Sequence, residues 1–325
     1  LSSGSAALHL AMIALGIKKD DIVLCQSFTF AASAFPISYC QAVPVFIDSE
    51  ADTWNMDPEL LEQSIKDCMA SGKKPAAIVV VHLYGIPARM NEILAISRKY
   101  DIPVIEDAAE ALGSTYEGRP CGSMGDIGIL SFNGNKIITT SGGGAFASNN
   151  EAFVSKVRHI SAQAKEPAPY YLHKETGYNY RLSNICAGIG RGQMEVLDQR
   201  INRRREIFEI YKQSLGEISG VHFLEEQPGH FSNRWLTTVI FDEGRFAAGT
   251  NEKLRQQLEK HNIESRPLWK PLHQQPVFAD NKSYVNGVSD KLFANGLCLP
   301  SGSNLTDEVI SKVVVETKRF LHETP

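Results

Sequence analysis

The chain has 325 residues, of which 43% are hydrophobic and 22% charged, with 33 Lys plus Arg against 37 Asp plus Glu and a formal charge of -4. That length exceeds what one small core needs and points to two domains, and the ordinary mix excludes a disordered or fibrous chain. No basic block beyond Arg203-Arg204-Arg205 suggests nucleic-acid binding, no apolar run nears the ~18 residues of a bilayer-spanning helix, and no signal-peptide pattern opens the chain, so a cytoplasmic protein is expected.

Leu1 is not a methionine, and Leu1-Ser2-Ser3-Gly4-Ser5 reads as a loop running into a helix from Ala6 to Leu15, so an N-terminal segment is expected to precede it. Strand-like apolar runs follow at Ile22-Val23-Leu24, 76–81, 103–106, 127–132 and 144–148, separated by helical periodicity, which is the pattern of an α/β layer on a largely parallel sheet. Met90, Ile93, Leu94, Ile96 and Tyr100 repeat at helical spacing and make 89–100 an amphipathic crossover helix. Residues 182–212 are again helical in pattern. Strands at 221–224 and 234–241 and helices at 250–261 and 305–322 then give a smaller α+β domain, with the boundary set between residues 204 and 205. The six cysteines, at 25, 40, 68, 121, 186 and 298, lack the spacing of a zinc site or a disulfide scaffold and are expected to be reduced.

In such a sheet, ligands gather beyond the carboxyl ends of the strands. Those loops hold Phe28 to Phe30, His82 and Tyr84, Asp107, and Asn133 to Lys136. The stretch from Ser131 to Gly144 places Lys136 among small residues just past a buried strand, where a desolvated lysine loses proton affinity and becomes a nucleophile able to form a Schiff base. A surface lysine in a glycine-rich turn has the same local signature. In Val104-Ile105-Glu106-Asp107-Ala108-Ala109-Glu110 a strand ends in a carboxylate that suits either a helix cap or a protonated pyridine nitrogen. Ser2-Ser3-Gly4-Ser5-Ala6-Ala7 opens a helix and reads either as a serine cap or as an anion cradle of free N–H groups.

A helix-start cradle, an aromatic loop, a strand-end aspartate and a later loop lysine follow one another in chain order. On these motifs, and on the run from Ser3-Gly4-Ser5-Ala6-Ala7-Leu8 to Leu299-Pro300-Ser301-Gly302, the sequence resembles the DegT/DnrJ/EryC1/StrS aminotransferases, fold-type I enzymes that use pyridoxal 5'-phosphate to aminate keto sugars on nucleotide carriers. The resemblance implies a large cofactor domain over 1–204 with a mostly parallel sheet and a smaller α+β domain over 205–325. It makes Lys136 the Schiff-base lysine and Asp107 the partner of the pyridine nitrogen. Gly4, Ser5, Ala6 and Ser131 would hold the phosphate, and Phe30 would stack on the cofactor. Asn179, in Gly177-Tyr178-Asn179-Tyr180-Arg181-Leu182-Ser183-Asn184, would reach the phosphate of the neighbouring subunit and so implies a homodimer with shared sites. Glu110 falls beside the cofactor where many relatives carry glutamine or histidine.

Lysine at position 136, where dehydratase relatives carry histidine, implies transamination in two half-reactions with L-glutamate as the expected donor. The stretches 131–140 and 264–271 look most like the branch acting at C4 of UDP-2-acetamido-2,6-dideoxy-4-keto-hexose, and GDP- or dTDP-linked 4-keto-6-deoxyhexoses are the alternative substrates. Arg266, Trp269 and His273 are candidate nucleotide contacts, and His82 and Tyr84 candidate sugar contacts. Two rivals belong to other classes: a cofactor-bearing regulatory protein without turnover, and a metal hydrolase on His82, His159 or His173. The histidines lack the helical pair spacing that the second would need, and no metal is expected.

Overall fold

The computed structural model describes residues 1–323. Its centre is a seven-stranded sheet in the order Ser283–Tyr284, Val43–Ile47, Ile22–Gln26, Ala77–Val81, Val104–Asp107, Ile127–Ser131 and Gly144–Ala147. All neighbours are parallel except the last pair. Every residue of Ala77–Val81 is buried, which is why this strand reads as an unbroken apolar run: both faces of a parallel sheet are covered by helices.

One face is covered by the helix Gly4–Ala14, buried nearly all round from Ala6 to Met12. The other is covered by Pro58–Ala70 and Met90–Tyr100. In the latter, Met90, Ile93, Leu94 and Ser97 are the buried positions, the i, i+3, i+4, i+7 stripe expected for 89–100. Each apolar member of that stripe contributes about 1.5–3 kcal/mol by leaving water.

The register carries the chain ends of the strands to one edge. Val81 pairs with Asp107, and Asp107 with Ile129, so the loops after these strands open side by side. The C-terminal third forms an antiparallel sheet of Arg266–Pro267, Gly296–Leu299, Thr237–Phe241 and Val221–Phe223, packed on the helices Leu197–Leu215, Thr250–Lys260 and Asp307–Glu323.

Three details differ from the periodicity. The helical stretch expected over 182–212 is two helices, Asn184–Met194 and Leu197–Leu215, broken at Glu195 and Val196. The second runs unbroken through residues 204 and 205. The strand expected from Arg234 starts only at Thr237, because Arg234 takes a left-handed φ of 50° and the preceding residues dock on the large sheet's loops. Finally, Val43–Ile47 and Ser283–Tyr284 join the large sheet although neither is among the strands that the sequence pattern predicts; the second is two residues long and its partner lies far back in sequence.

Candidate active site

A cavity of about 300 Å³ opens where the strand ends converge. Its floor at one end is the start of the helix Gly4–Ala14. Ser3 caps that helix, its hydroxyl accepting the Ala6 N–H at 3.0 Å, and the first helical bond runs from the Ala7 N–H to the Ser3 carbonyl. The N–H groups of Gly4 and Ser5 precede that bond, have no helical carbonyl to reach, and line the cavity. Ala6 lies behind them with its N–H already held. A Cβ on Gly4 would come to 3.0 Å from the Ser131 Cβ, so glycine here lets the helix start press against the strand that carries Ser131. An anion would find free N–H groups, the positive end of the helix dipole and the Ser131 hydroxyl together.

Asp107 ends its strand 7% exposed and lines the same cavity. One carboxylate oxygen accepts the Ser33 hydroxyl at 2.7 Å and the other the Ala109 N–H at 3.2 Å, which fixes its plane. Ser33 is fully within the core, in the small-residue run after Phe30; nothing in the sequence distinguished it from its neighbours.

Lys136 sits on the loop between Ile127–Ser131 and Gly144–Ala147. Its N–H donates to the Asn133 carbonyl, and the loop is closed by the Thr140 N–H on Phe132 and the Phe132 N–H on Gly143. The Trp235 indole N–H donates to the Asn135 carbonyl at 2.8 Å, and its ring lies under the lysine, with Nζ 4.3 Å from the ring centroid. Nζ is also 3.9 Å from Oε1 of Glu110.

Glu110 is 4% exposed, and its Oε2 accepts the Tyr84 N–H at 2.7 Å. Burial pushes its carboxyl up to about 7, opposed by the Lys136 charge and the Tyr84 N–H and assisted by Asp107. A carboxyl group that exchanges its proton near neutral pH, beside an amine in a cleft, is a chemically active arrangement.

Phe30 and Trp269 form the mouth. Phe30 is half-exposed at the rim, its ring tilted against Trp269 at 5.3 Å between centroids, and Trp269 in turn stacks over Tyr84. Trp235 is the functional position that sequence reading missed. It falls inside the stretch 234–241 that the sequence predicts as a strand, whereas the strand begins at Thr237.

Other expected residues lie elsewhere. His82 is wholly buried behind the cavity: its Nδ1 accepts the Ala88 N–H and its Nε2 faces Glu106 at 3.0 Å, so the proton sits on Nε2. His273 is held between Ser27 Oγ, at 2.7 Å, and Asp290 Oδ1, at 2.9 Å, and acts as a brace for the loop leading to Phe30. Arg266 is exposed beside Glu264 and lines a second cavity of about 560 Å³. The two cavities share a wall of Asn135, Trp235 and Trp269. Asn179 is exposed and away from its own chain's cavity, in a bridge with Ala162. Nearby, the helix Asn184–Met194 has no buried residue and presents Ile185, Ile189 and Met194 outward.

The donor set fits pyridoxal phosphate: an anion cradle at one end, a fixed carboxylate on the strand end, an amine between them and aromatic walls. A model of the DegT/DnrJ/EryC1/StrS aminotransferase family matches residues 1–318. EpsN of Bacillus subtilis (strain 168), named as a provisional pyridoxal phosphate-dependent aminotransferase, is 50% identical over 326 residues, 99% of this chain and 83% of its own. GDP-perosamine synthase of Escherichia coli O157:H7 is 37% identical over 98% of this chain and 84% of its own. Among solved structures, Spr1654 of Streptococcus pneumoniae, a provisional sugar aminotransferase in its PLP-form, aligns with a TM-score of 0.90 at 26% identity, over 99% of this chain and 86% of its own. The chain belongs to the DegT/DnrJ/EryC1/StrS aminotransferase family and is a pyridoxal phosphate-dependent aminotransferase.

Proposed function

We propose that this transaminase moves an amino group from L-glutamate to C4 of UDP-2-acetamido-2,6-dideoxy-4-keto-hexose, as a cytoplasmic homodimer with shared active sites. The observation that carries the chemistry is the placement of the Lys136 amine within the same cavity as Asp107 and the free N–H groups of Gly4 and Ser5. The choice of sugar rests on the resemblance of 131–140 and 264–271 to the UDP-N-acetylbacillosamine branch. The identity with GDP-perosamine synthase favours a second reading, a GDP-linked 4-keto-6-deoxyhexose.

When bound, the cofactor supplies an aldehyde for exchange between amines and an electron sink for the carbon that loses its proton. The chain's own residues do the rest. Gly4, Ser5 and Ser131 would hold the phosphate, and Asp107, held by Ser33 and Ala109, would keep the ring nitrogen protonated. Lys136 Nζ would hold the cofactor's aldehyde and, when released from it, would take up and deliver a proton, which requires it neutral as base and protonated as acid. Phe30 would lie against the ring. Trp235 and Trp269 close the wall of the cavity against water. The nucleotide lies in the second cavity, where Arg266 suits a diphosphate. Asn179 serves the phosphate of a second copy, and the unburied helix Asn184–Met194 is the face that copy covers.

The test is incubation with L-glutamate and a panel of UDP-, GDP- and dTDP-linked 4-keto sugars, with product masses read out. A mass gain confined to the GDP substrates would replace the UDP assignment by the second reading. Failure of glutamate to convert the cofactor's absorbance would favour a cofactor-bearing regulator instead.

A further inference from the structure

We infer that Glu110 and Lys136 share one proton, so that Glu110 takes the proton which Lys136 must lose to act as a base and returns it when Lys136 must act as an acid. This rests on the reading of Lys136 as the reactive amine. The exchange balances within the pair: ammonium and carboxylate become amine and carboxylic acid, one N–H bond breaking as one O–H bond forms.

The geometry supports this in three ways. Glu110 Oε1 is 3.9 Å from Lys136 Nζ, a gap that a small swing of the lysine side chain or one bridging water closes, and of the described residues it is the carboxylate paired with that amine. The other oxygen is occupied by the Tyr84 N–H, so Oε1 is the atom left to face the lysine. Both groups line the cavity and both are shielded, the side chains being 12% exposed for Lys136 and 3% for Glu110.

The remaining groups around Glu110 set where the proton rests. Asp107, at the end of the strand that leads into Glu110, disfavours a second negative charge, and the Tyr84 N–H and the Trp269 side chain favour one. The Tyr84 phenol, which accepts the Trp269 backbone N–H at 2.9 Å, and the Cys298 thiol both lie close enough to feel the Glu110 charge, and burial keeps both protonated around neutral pH. Neither competes for the shared proton. Glu110 itself titrates near neutrality, where a poised carboxyl exchanges protons most effectively. Asp107, by contrast, has both oxygens engaged by Ser33 and Ala109 and is committed to a fixed role.

The first test needs no substrate. In cofactor-free protein, trace acylation of Lys136 is followed by mass spectrometry across pH. For a pair that shares a proton, the fraction with a neutral amine is independent of pH between its two titrations, so the wild-type labelling rate is expected to rise, flatten from about pH 7 and rise again. The Glu110→Gln profile is expected to rise without the plateau. A wild-type profile without a plateau, or one that survives unchanged in Glu110→Gln, overturns the inference. Infrared difference spectra of the wild-type protein alone provide a check that does not depend on the variant folding: a buried carboxylic acid band must appear as pH falls through neutrality.

In the loaded enzyme, Glu110→Gln is expected to slow the glutamate half-reaction about 100-fold or more, to remove the limb of its pH profile near 7, and to leave KM for glutamate unchanged. If wild type lacks transaminase activity, the labelling and infrared results still decide the matter of the shared proton, so the two readings fail separately.

Discussion

Replacing Glu110 by glutamine tests the electrostatics of the cavity through stability. The glutamine keeps an oxygen to accept the Tyr84 N–H but cannot ionise. In the folded protein the carboxyl is pushed from 4.5 up to about 7, with burial as the main cause. Between those values the native state holds a proton that the unfolded chain has released, so the native state binds more protons and stability falls as pH rises through the window. At about 1.36 kcal/mol per pH unit, the interval from 4.5 to about 7 amounts to about 3 kcal/mol. Urea unfolding of cofactor-free wild type and Glu110→Gln between pH ~5 and ~8 isolates this group, because other titrations largely cancel in the difference. Wild type minus variant is expected to fall by about 2.5 kcal/mol from the acid to the alkaline end, the remainder of the effect lying below pH ~5. A difference that is flat or that rises with pH would refute the assignment of a dry, proton-retaining carboxyl group.

Lys136→Ala is expected to abolish transamination in a folded protein that still binds the cofactor non-covalently, read as a changed absorbance band; more than trace turnover would remove Lys136 from its role. Gly4→Ala places a methyl group against the Ser131 Cβ, at 3.0 Å, so the cradle must shift; at about 1–2 kcal/mol of overpacking the cofactor is expected to bind about 10-fold more weakly, measured by fluorescence titration. Mixing Lys136→Ala chains with Asn179→Ala chains is expected to restore activity when neither variant is active alone, because hybrid dimers contain one intact site. If mixing restores nothing, Asn179 does not act on the partner's cofactor.

Much of the site was legible because its residues lie on local signals. The unbroken apolar runs marked the buried parallel strands, and a parallel sheet brings the residues after its strands to one edge, so Asp107 and Lys136 could be placed together from order alone. The serine-rich helix start was legible too, though the helix begins at Gly4 with Ser3 as its cap, two residues before the expected Ala6. What could not be read was whatever depends on distant packing. Trp235 meets Lys136 only because the turn at Arg234 reverses the chain onto the Asn135 loop, and the sequence around it looks like the start of a strand. Ser33 differs from any small core residue only in what lies across from it. His82 and His273 were drawn toward the substrate by their positions near strand ends and loops, yet each is spent on internal hydrogen bonds. Short strands such as Ser283–Tyr284 carry too few residues for any periodicity to show.

That short strand has a consequence for the nascent chain. Val43–Ile47 is an interior strand only when Ser283–Tyr284 lies beside it, a union braced by the Asn281 amide on the Pro44 carbonyl from 237 residues further along the chain. While the ribosome is still making that stretch, the strand is a bare edge with unpaired N–H and carbonyl groups, able to template association with other chains. The indole of Trp235, which closes the lysine loop, also comes late in synthesis. Translation cut short before the last strand joins would therefore leave a sheet that has its cofactor cradle but remains sticky at one margin, and yield should respond to chaperone supply more than to cofactor supply.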